Sequence, residues 1–291
     1  MKLFVIAVLA AGSFFDLSCS PADKSSLISQ ISRKSQTQNS NHQVATNDPV
    51  NPEPSKDQVQ QSLGNQILLF NGIGTSVSDW QSLVQIINSM GLTYQLVNSA
   101  SLNAMSLSTL KNYKMILIPG GNSNVINSAL TTATMIRVRQ AVRDGGVNFL
   151  GICAGAFDAV GVDTFSNSTA YYGFAVAEGA YLKHWYPNGN SILITAIVPI
   201  VFADKSSRYM MWWDGPTTPE FSGGVVARYP DGKPAISQKF SGAGFVIVSG
   251  VHPEAPASWQ YDSGVDLDGT DFDIAKKLIA ATLYRKPMVS F

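Results

Sequence analysis

Residues 147–157, VNFLGICAGAF, are the most informative stretch of this sequence. VNFLGI is a continuous apolar run, which is typical of a buried strand in a parallel sheet. CAGAF then begins a helix, and Cys153 lies at the junction between Gly151 and Gly155. This is the layout of a nucleophile elbow, because the tight turn leaves no room for Cβ atoms beside the nucleophile. The turn predicts an exposed sulfur at the carboxyl end of the sheet, near a helix N-terminus that favours the thiolate.

Apolar segments on the amino-terminal side of this stretch predict an α/β domain. Strands are predicted at ILLF (67–70), TYQLV (93–97) and KMILIP (114–119), and helices from Ser76 or Ser78 to Met90 and from about Ser128 to Arg143. Right-handed crossovers between such strands give a doubly wound, mostly parallel sheet.

The carboxyl-terminal half has a different pattern. Alternating and aromatic-rich runs between residues 171 and 240 predict strands and hairpins that extend the sheet in an antiparallel manner. GFVIVSG (244–250) predicts another core strand, and residues 271–284 predict a closing helix with one apolar stripe.

Composition limits the classes of function. Hydrophobic residues make up 45% of the chain and charged residues 14%, which supplies ample material for a core. Lys plus Arg and Asp plus Glu both number 20, so the chain lacks the positive charge that nucleic-acid binding normally requires. We therefore expect no nucleic-acid partner.

The first 19 residues predict a signal peptide. The apolar run is too short to cross a bilayer as a helix, and Cys19 follows it at the place where bacterial lipoproteins carry their lipid. Asp16 replaces the usual Leu of the lipobox, so lipidation with membrane attachment and ordinary cleavage both stay open. We expect an exported protein, either periplasmic or anchored as a lipoprotein, with a disordered tether at residues 20–64 and one domain at residues 65–291.

A second motif, GVHPEAP, carries His252 and Glu254 after a predicted core strand. A carboxylate two residues from a histidine can hold one ring nitrogen, so that the other nitrogen transfers protons to and from Cys153. A Cys-His-Glu triad is therefore predicted.

A third motif, the glycine pair Gly120 and Gly121 after KMILIP, predicts an oxyanion hole. The backbone N–H groups of Gly121 and Ala154 are the expected donors to the oxyanion. The neighbouring residues expected to bind substrate are Gly120, Asn122 and Gly72.

PGG, GICAG and GxHPE in this order resemble the class I glutamine amidotransferase superfamily. Further segments look most like the domain at the N-terminus of certain biotin-protein ligases: FNGIG (70–74), LIPGGN (117–122), MMWWDGP (210–216) and the stretch from VVARYPDG to GVHPE (225–254). The resemblance implies a flavodoxin-like sheet and a triad of Cys153, His252 and Glu254. It implies no substrate, and we recognise no biotin, ATP or metal site, so we expect no cofactor.

Three functions are compatible with this sequence. The first is an exported hydrolase acting on an amide or γ-glutamyl bond of a small or peptide-like substrate. The second is a non-catalytic binding or envelope-associated module that uses aromatic residues of the second half, although these rings more often fill a core. The third is an ammonia-supplying synthetase subunit, which fits the fold but not an export signal. The oligomeric state stays open.

Overall fold

A computed structural model describes residues 66–162 and 173–291. The predicted signal peptide, Cys19, the tether, Tyr171 and Tyr172 lie outside the described residues. Within them, no helix is long and apolar enough to cross a membrane.

One nine-stranded mixed sheet organises the described residues, and five of its strands are parallel. The first four are β1 (Ile67–Phe70), β2 (Tyr94–Val97), β3 (Met115–Ile118) and β4 (Asn148–Ile152). The fifth is β11 (Gly244–Ser249), and the order β2-β1-β3-β4-β11 is parallel throughout. An α/β fold with a large mixed sheet is therefore confirmed.

The antiparallel part continues from β11. Its strands are β7 (Thr195–Phe202), β8 (Ser207–Trp213), β9 (Val225–Arg228) and β10 (Pro234–Ser241), and they complete the sheet in the order β11-β10-β9-β7-β8. Two short strands, β5 (Val160–Gly161) and β6 (Ala177–Glu178), pair separately.

Helices pack on both faces of the sheet. They are α1 (Val77–Ser89), α2 (Ser99–Ala104), α3 (Leu107–Leu110), α4 (Ser123–Ala129), α5 (Thr132–Arg143), α6 (Ala154–Ala159) and α7 (Phe272–Tyr284). Alternate residues of β1 show the two-sided burial: Ile67 and Leu69 join the core that contains apolar residues of α1 and α7, whereas Leu68 and Phe70 join the core that contains those of α5. This explains why ILLF is apolar at every position.

The helix predicted from about Ser128 to Arg143 ends where expected but begins later, at Thr132. The structure has two helices, α4 and α5, separated at Leu130 and Thr131. Thr131 is extended, and its side chain accepts a hydrogen bond from the Thr134 backbone N–H, which is a helix N-cap. The Ser/Thr-rich sequence favours such a local cap over helix continuation.

Candidate active site

The backbone of Cys153 has the strained conformation expected of a nucleophile elbow. It lies at φ 49° and ψ −104° between β4 and α6, a region that non-glycine residues rarely occupy. Its N–H donates to the carbonyl of Ser249 at 2.8 Å. A Cβ on Gly155 would collide with the carbonyl of Ile118, so the glycine permits β3 and α6 to approach closely.

The sulfur of Cys153 is less accessible than the elbow alone predicts. The residue is only 1% exposed, and its Sγ lies 3.5 Å from the carbonyl oxygen of Trp213 at the end of β8. Nucleophilic chemistry at this position requires the reduced, ionised form of the side chain.

His252 and Glu254 form a buried pair on the loop after β11. Nδ1 of His252 lies 2.9 Å from Oε1 of Glu254, and both side chains are almost completely buried. The backbone N–H of His252 donates to the carbonyl of Met211 in β8, and Trp259 packs edge-on against the imidazole ring. Nε2 of His252 is buried and has no hydrogen-bond partner among the described residues.

Strand register places Cys153 and His252 at the same edge of the sheet. β4 and β11 are parallel neighbours, and Ile152 pairs with Ser249 at the last position of each strand. Cys153 follows Ile152 directly, and His252 is three residues beyond Ser249, so both begin adjacent loops at the same edge of the sheet. The structure thus brings these two predicted site residues to neighbouring strand ends, while their catalytic pairing stays a prediction.

Sequence reasoning missed Asp79, a second carboxylate at His252. Its Oδ1 lies 3.2 Å from Nδ1 of His252, and the side chain has no exposed surface. Asp79 lies in the first turn of α1, where its N–H donates to the Ser76 side chain. An acidic residue in a first helical turn is ordinarily explained by the helix dipole, so its position in the sequence does not indicate a role.

The glycine pair connects Asp79 with the rest of the site. A Cβ on Gly120 would collide with Oδ1 of Asp79 and would lie 2.7 Å from Cε1 of His252. The carbonyl of Gly120 accepts the N–H of Ser76 at 2.9 Å. Gly120 is therefore required as a close-packing position beside the two side chains.

The other predicted site residues lie at the same edge of the sheet. Gly121 has φ 146° and bridges to Thr75. The N–H of Gly155 donates to the carbonyl of Pro119, which brings the elbow containing Ala154 against the glycine pair. The structure does not test their assignment to an oxyanion hole.

Two residues predicted to bind substrate have clear structural contacts. The side chain of Asn122 is buried and caps α4 by accepting the N–H of Val125 at 3.2 Å. Gly72 lies against Ser99, and a Cβ there would collide with the Ser99 hydroxyl. These contacts account for both residues without a substrate, so substrate binding by them stays a prediction.

The electrostatics of the site favour a charged imidazole. Burial lowers the pKa of His252, but Glu254 and Asp79 together have the larger, opposite effect and raise it to about 10. Burial, only partly offset by the interaction with His252, raises the pKa of Glu254 to about 7. At neutral pH the ring is therefore protonated, and the neighbouring carboxylates stabilise its positive charge.

Asp79, His252 and Glu254 also have donor atoms within 4.8 Å of one another, which is compact enough for a metal ion. Nδ1 of His252 is, however, hydrogen-bonded to Glu254 at 2.9 Å and lies at an ion-pair distance of 3.2 Å from Asp79. The geometry is accounted for by a proton on Nδ1.

Comparisons with known proteins agree with this architecture. Residues 65–172 match the family model described as "Biotin-protein ligase, N terminal". A solved structure entitled "Crystal structure of glutamine amidotransferase" is 16% identical with a TM-score of 0.50, and the match covers 75% of this chain and 98% of that one. The fold is that of the class I glutamine amidotransferases. PurLQS from Thermotoga maritima has a similar fold, at 17% identity and a TM-score of 0.50 over 75% of this chain and 97% of that one.

The predicted resemblance to the glutamine amidotransferase superfamily and to the biotin-protein ligase N-terminal family is thereby confirmed. No curated protein sequence matches the chain. The amidotransferase-like fold by itself assigns neither a substrate nor the active residues, so these are argued below from the site.

Proposed function

We propose that this protein is an exported, cysteine-dependent amidohydrolase of the amidotransferase type that cleaves an amide or γ-glutamyl bond. Cys153 is the nucleophile, His252 the acid and base, and Glu254 the residue that orients His252. The observation that carries the proposal is a strained cysteine at the end of β4 beside a buried His–Glu pair at the end of β11. Strained backbone of this kind is concentrated at functional sites.

Acylation begins with the reduced Cys153 as a thiolate. The sulfur attacks the amide carbonyl carbon and a C–S bond forms, while the backbone N–H groups of Gly121 and Ala154 stabilise the oxyanion. His252 then donates its Nε2 proton to the leaving nitrogen as the C–N bond breaks. The raised pKa of His252 supports this order of events, because the ring already carries the proton that the amine needs.

Deacylation reverses the proton movement. The neutral His252 removes a proton from water, and the resulting hydroxide attacks the thioester carbonyl. The C–S bond breaks, the thiolate returns, and the product is a carboxylic acid. Glu254 holds Nδ1 in both steps, so that Nε2 remains the nitrogen that exchanges protons.

Two further parts of the proposal concern architecture and location. The order β2-β1-β3-β4 supports a flavodoxin-like, doubly wound arrangement, because that fold has the same order in its parallel sheet. The apolar amino terminus ending near Cys19 supports export, either as a periplasmic protein or as a lipoprotein anchored through that cysteine.

The proposal is tested on the reduced mature domain. Iodoacetamide labelling followed by peptide mass spectrometry measures the reactivity of Cys153, and a screen of glutamine, γ-glutamyl peptides and cell-wall amides measures release of ammonia or amine. We expect rapid labelling of Cys153 at pH values below about 8.5, the pKa of an ordinary thiol. We also expect an acyl adduct on Cys153 with any substrate that turns over. Turnover that is retained after complete alkylation of Cys153 would contradict the proposal.

The alternative, a non-catalytic binding module, depends on aromatic rings that are open to a ligand. The structure buries most of the described ones: Trp185, Trp212 and Trp213 are 9% exposed or less, and Trp185 stacks on Tyr229 at 4.0 Å. Tyr181 is 47% exposed. Since most of these rings fill a core, the hydrolase is the better-supported function, and an inert reduced Cys153 would favour the module instead.

A further inference from the structure

Two buried carboxylates face a single nitrogen of His252. Oε1 of Glu254 lies 2.9 Å from Nδ1, and Oδ1 of Asp79 lies 3.2 Å from the same atom. The side chains of both acids have no exposed surface. Burying an ionised carboxylate is costly unless it is paired, and placing two carboxylates close together adds repulsion. One carboxylate is enough to orient an imidazole, so the second one needs an explanation.

Asp79 is held in this position by contacts with two of the sequence motifs. Ser76 caps α1 through the N–H of Asp79, and the N–H of Ser76 donates to the carbonyl of Gly120. The carbonyl of Gly74 accepts the N–H of Asn122 at 2.8 Å, which joins the loop after β1 to the loop after β3. The FNGIG and PGG motifs thus form a clamp that directs Asp79 at His252.

The two carboxylates reach the ring from independent elements. Glu254 shares a loop with His252, whereas Asp79 comes from α1. These are the charged groups that raise the pKa of His252, and Cys153 lies on the neighbouring loop. Burial, and to a smaller extent repulsion from Asp79, raises the pKa of Glu254 to about 7, so this carboxyl takes up a proton near neutral pH. Asp79 gives the ring a second carboxylate neighbour that does not depend on the loop of Glu254.

We propose that Asp79 is a positioning residue of the active site: it is a second acceptor for the Nδ1 proton, and it keeps His252 charged and oriented towards Cys153. This inference rests on the proposed function, since it gives Asp79 a role in maintaining the thiolate–imidazolium pair. It also explains why position 120 is glycine, because a side chain there would displace the Asp79 carboxylate from the ring.

The experiment measures the pH dependence of Cys153 alkylation by iodoacetamide in the reduced mature domain. It compares the wild type with Asp79→Asn, Glu254→Gln, the double variant and His252→Ala. Asn preserves the shape of Asp79 and removes its charge. We expect Asp79→Asn to raise the pH at the midpoint of the Cys153 alkylation curve by about 1 unit and to slow alkylation at pH 6 by about tenfold. The double variant should show a larger shift than either single variant.

A second readout reports on the ring itself. Nitrogen NMR of the imidazole follows the titration of His252, with His252→Ala identifying its signals among those of the three histidines. In Glu254→Gln we expect His252 to titrate above the ordinary pKa of 6.5, because Asp79 still faces it. A titration at or below 6.5 in that variant would overturn the inference, even if Asp79→Asn fails to fold.

The outcomes separate this inference from the proposed function. If the wild-type thiol has an ordinary midpoint that His252→Ala leaves unchanged, the proposed function fails whatever Asp79 does. If the wild-type midpoint is lowered by His252 but the Asp79→Asn curve superimposes on it, the function stands and the role of Asp79 is overturned. Asp271→Asn is the control for replacing a buried Asp by Asn as such, because Asp271 does not contact His252; an equal shift in this variant would also overturn the role of Asp79.

Discussion

The parallel and antiparallel parts of the sheet contribute differently to the candidate site. The parallel strands β1, β3, β4 and β11 are each followed by a loop or helix that carries one of its components: Asp79, the glycine pair, Cys153 and the His252–Glu254 pair. The antiparallel strand β8 contributes backbone carbonyls, which contact the sulfur of Cys153 and the N–H of His252. Parallel strands end at one edge, so their loops converge there, whereas antiparallel neighbours end at opposite edges. The side chains of the candidate site therefore come from the parallel part, and the antiparallel part supplies backbone that packs against them.

The largest expected effect is at the nucleophile in the parallel part. Cys153→Ala should lower turnover by at least about 10³-fold, because the covalent step is removed. The free energy of unfolding under reducing conditions should change far less than for a large core deletion. Steady-state rates and denaturant unfolding check the two claims, and substantial residual turnover would assign the chemistry to another group.

A core deletion in the antiparallel part should have the opposite effect. Ile200 in β7 is fully buried, so Ile200→Ala should lower the free energy of unfolding by about 2–5 kcal/mol. The rate of Cys153 alkylation per folded molecule should stay unchanged. Val201→Ala is the matched control, because this adjacent side chain is 43% exposed and its loss should cost about 0.5 kcal/mol or less. A large change in alkylation by Ile200→Ala would show that the two parts are not separable.

An intermediate effect is expected at Gly120. In Gly120→Ala the new methyl group meets Asp79 and His252, so the ring must move. Turnover should fall by about 10²-fold, since displacement of a catalytic group by about 1 Å costs this much. Measuring kcat separately from KM checks the assignment, and a change confined to KM would place Gly120 in substrate binding instead.

The smallest predicted effect concerns Asp271, which precedes α7. Burial, followed by repulsion from Asp266 and Asp268, raises the pKa of this carboxyl to about 8. Its ordinary value is 3.8. The folded state therefore retains a proton that the unfolded state releases, and stability falls as the pH rises from about 4 through 8.

Asp271→Asn should reduce that loss of stability by about 1–2 kcal/mol, measured by denaturant unfolding at pH 4 and pH 8. Equal pH dependence in the two proteins would show that Asp271 is ionised in the folded state. Because Asp271 makes no contact with His252, the alkylation profile of Cys153 should stay the same.

The sequence predicted the fold best where local signals agree. ILLF, KMILIP and VNFLGI became β1, β3 and β4 within a residue or two, because an uninterrupted apolar run has few alternatives to a buried strand. The helix division at Thr131 was missed, since a capping threonine competes with the helical pattern of its neighbours. The exposure of the Cys153 sulfur was also misjudged, because the covering carbonyl belongs to Trp213 in a distant strand.

By itself, the sequence determined the elbow at Cys153, the His252–Glu254 pair and the apolar strands, because each depends on residues adjacent in the chain. The tertiary structure alone decided that Asp79 faces His252 and that β8 lies over both reactive groups. Those contacts join residues far apart in the chain, and they exist only because the order of the strands brings β1, β3, β4 and β11 together at one edge of the sheet. Local patterns encode the elements, but the packing of those elements sets the charge around the imidazole.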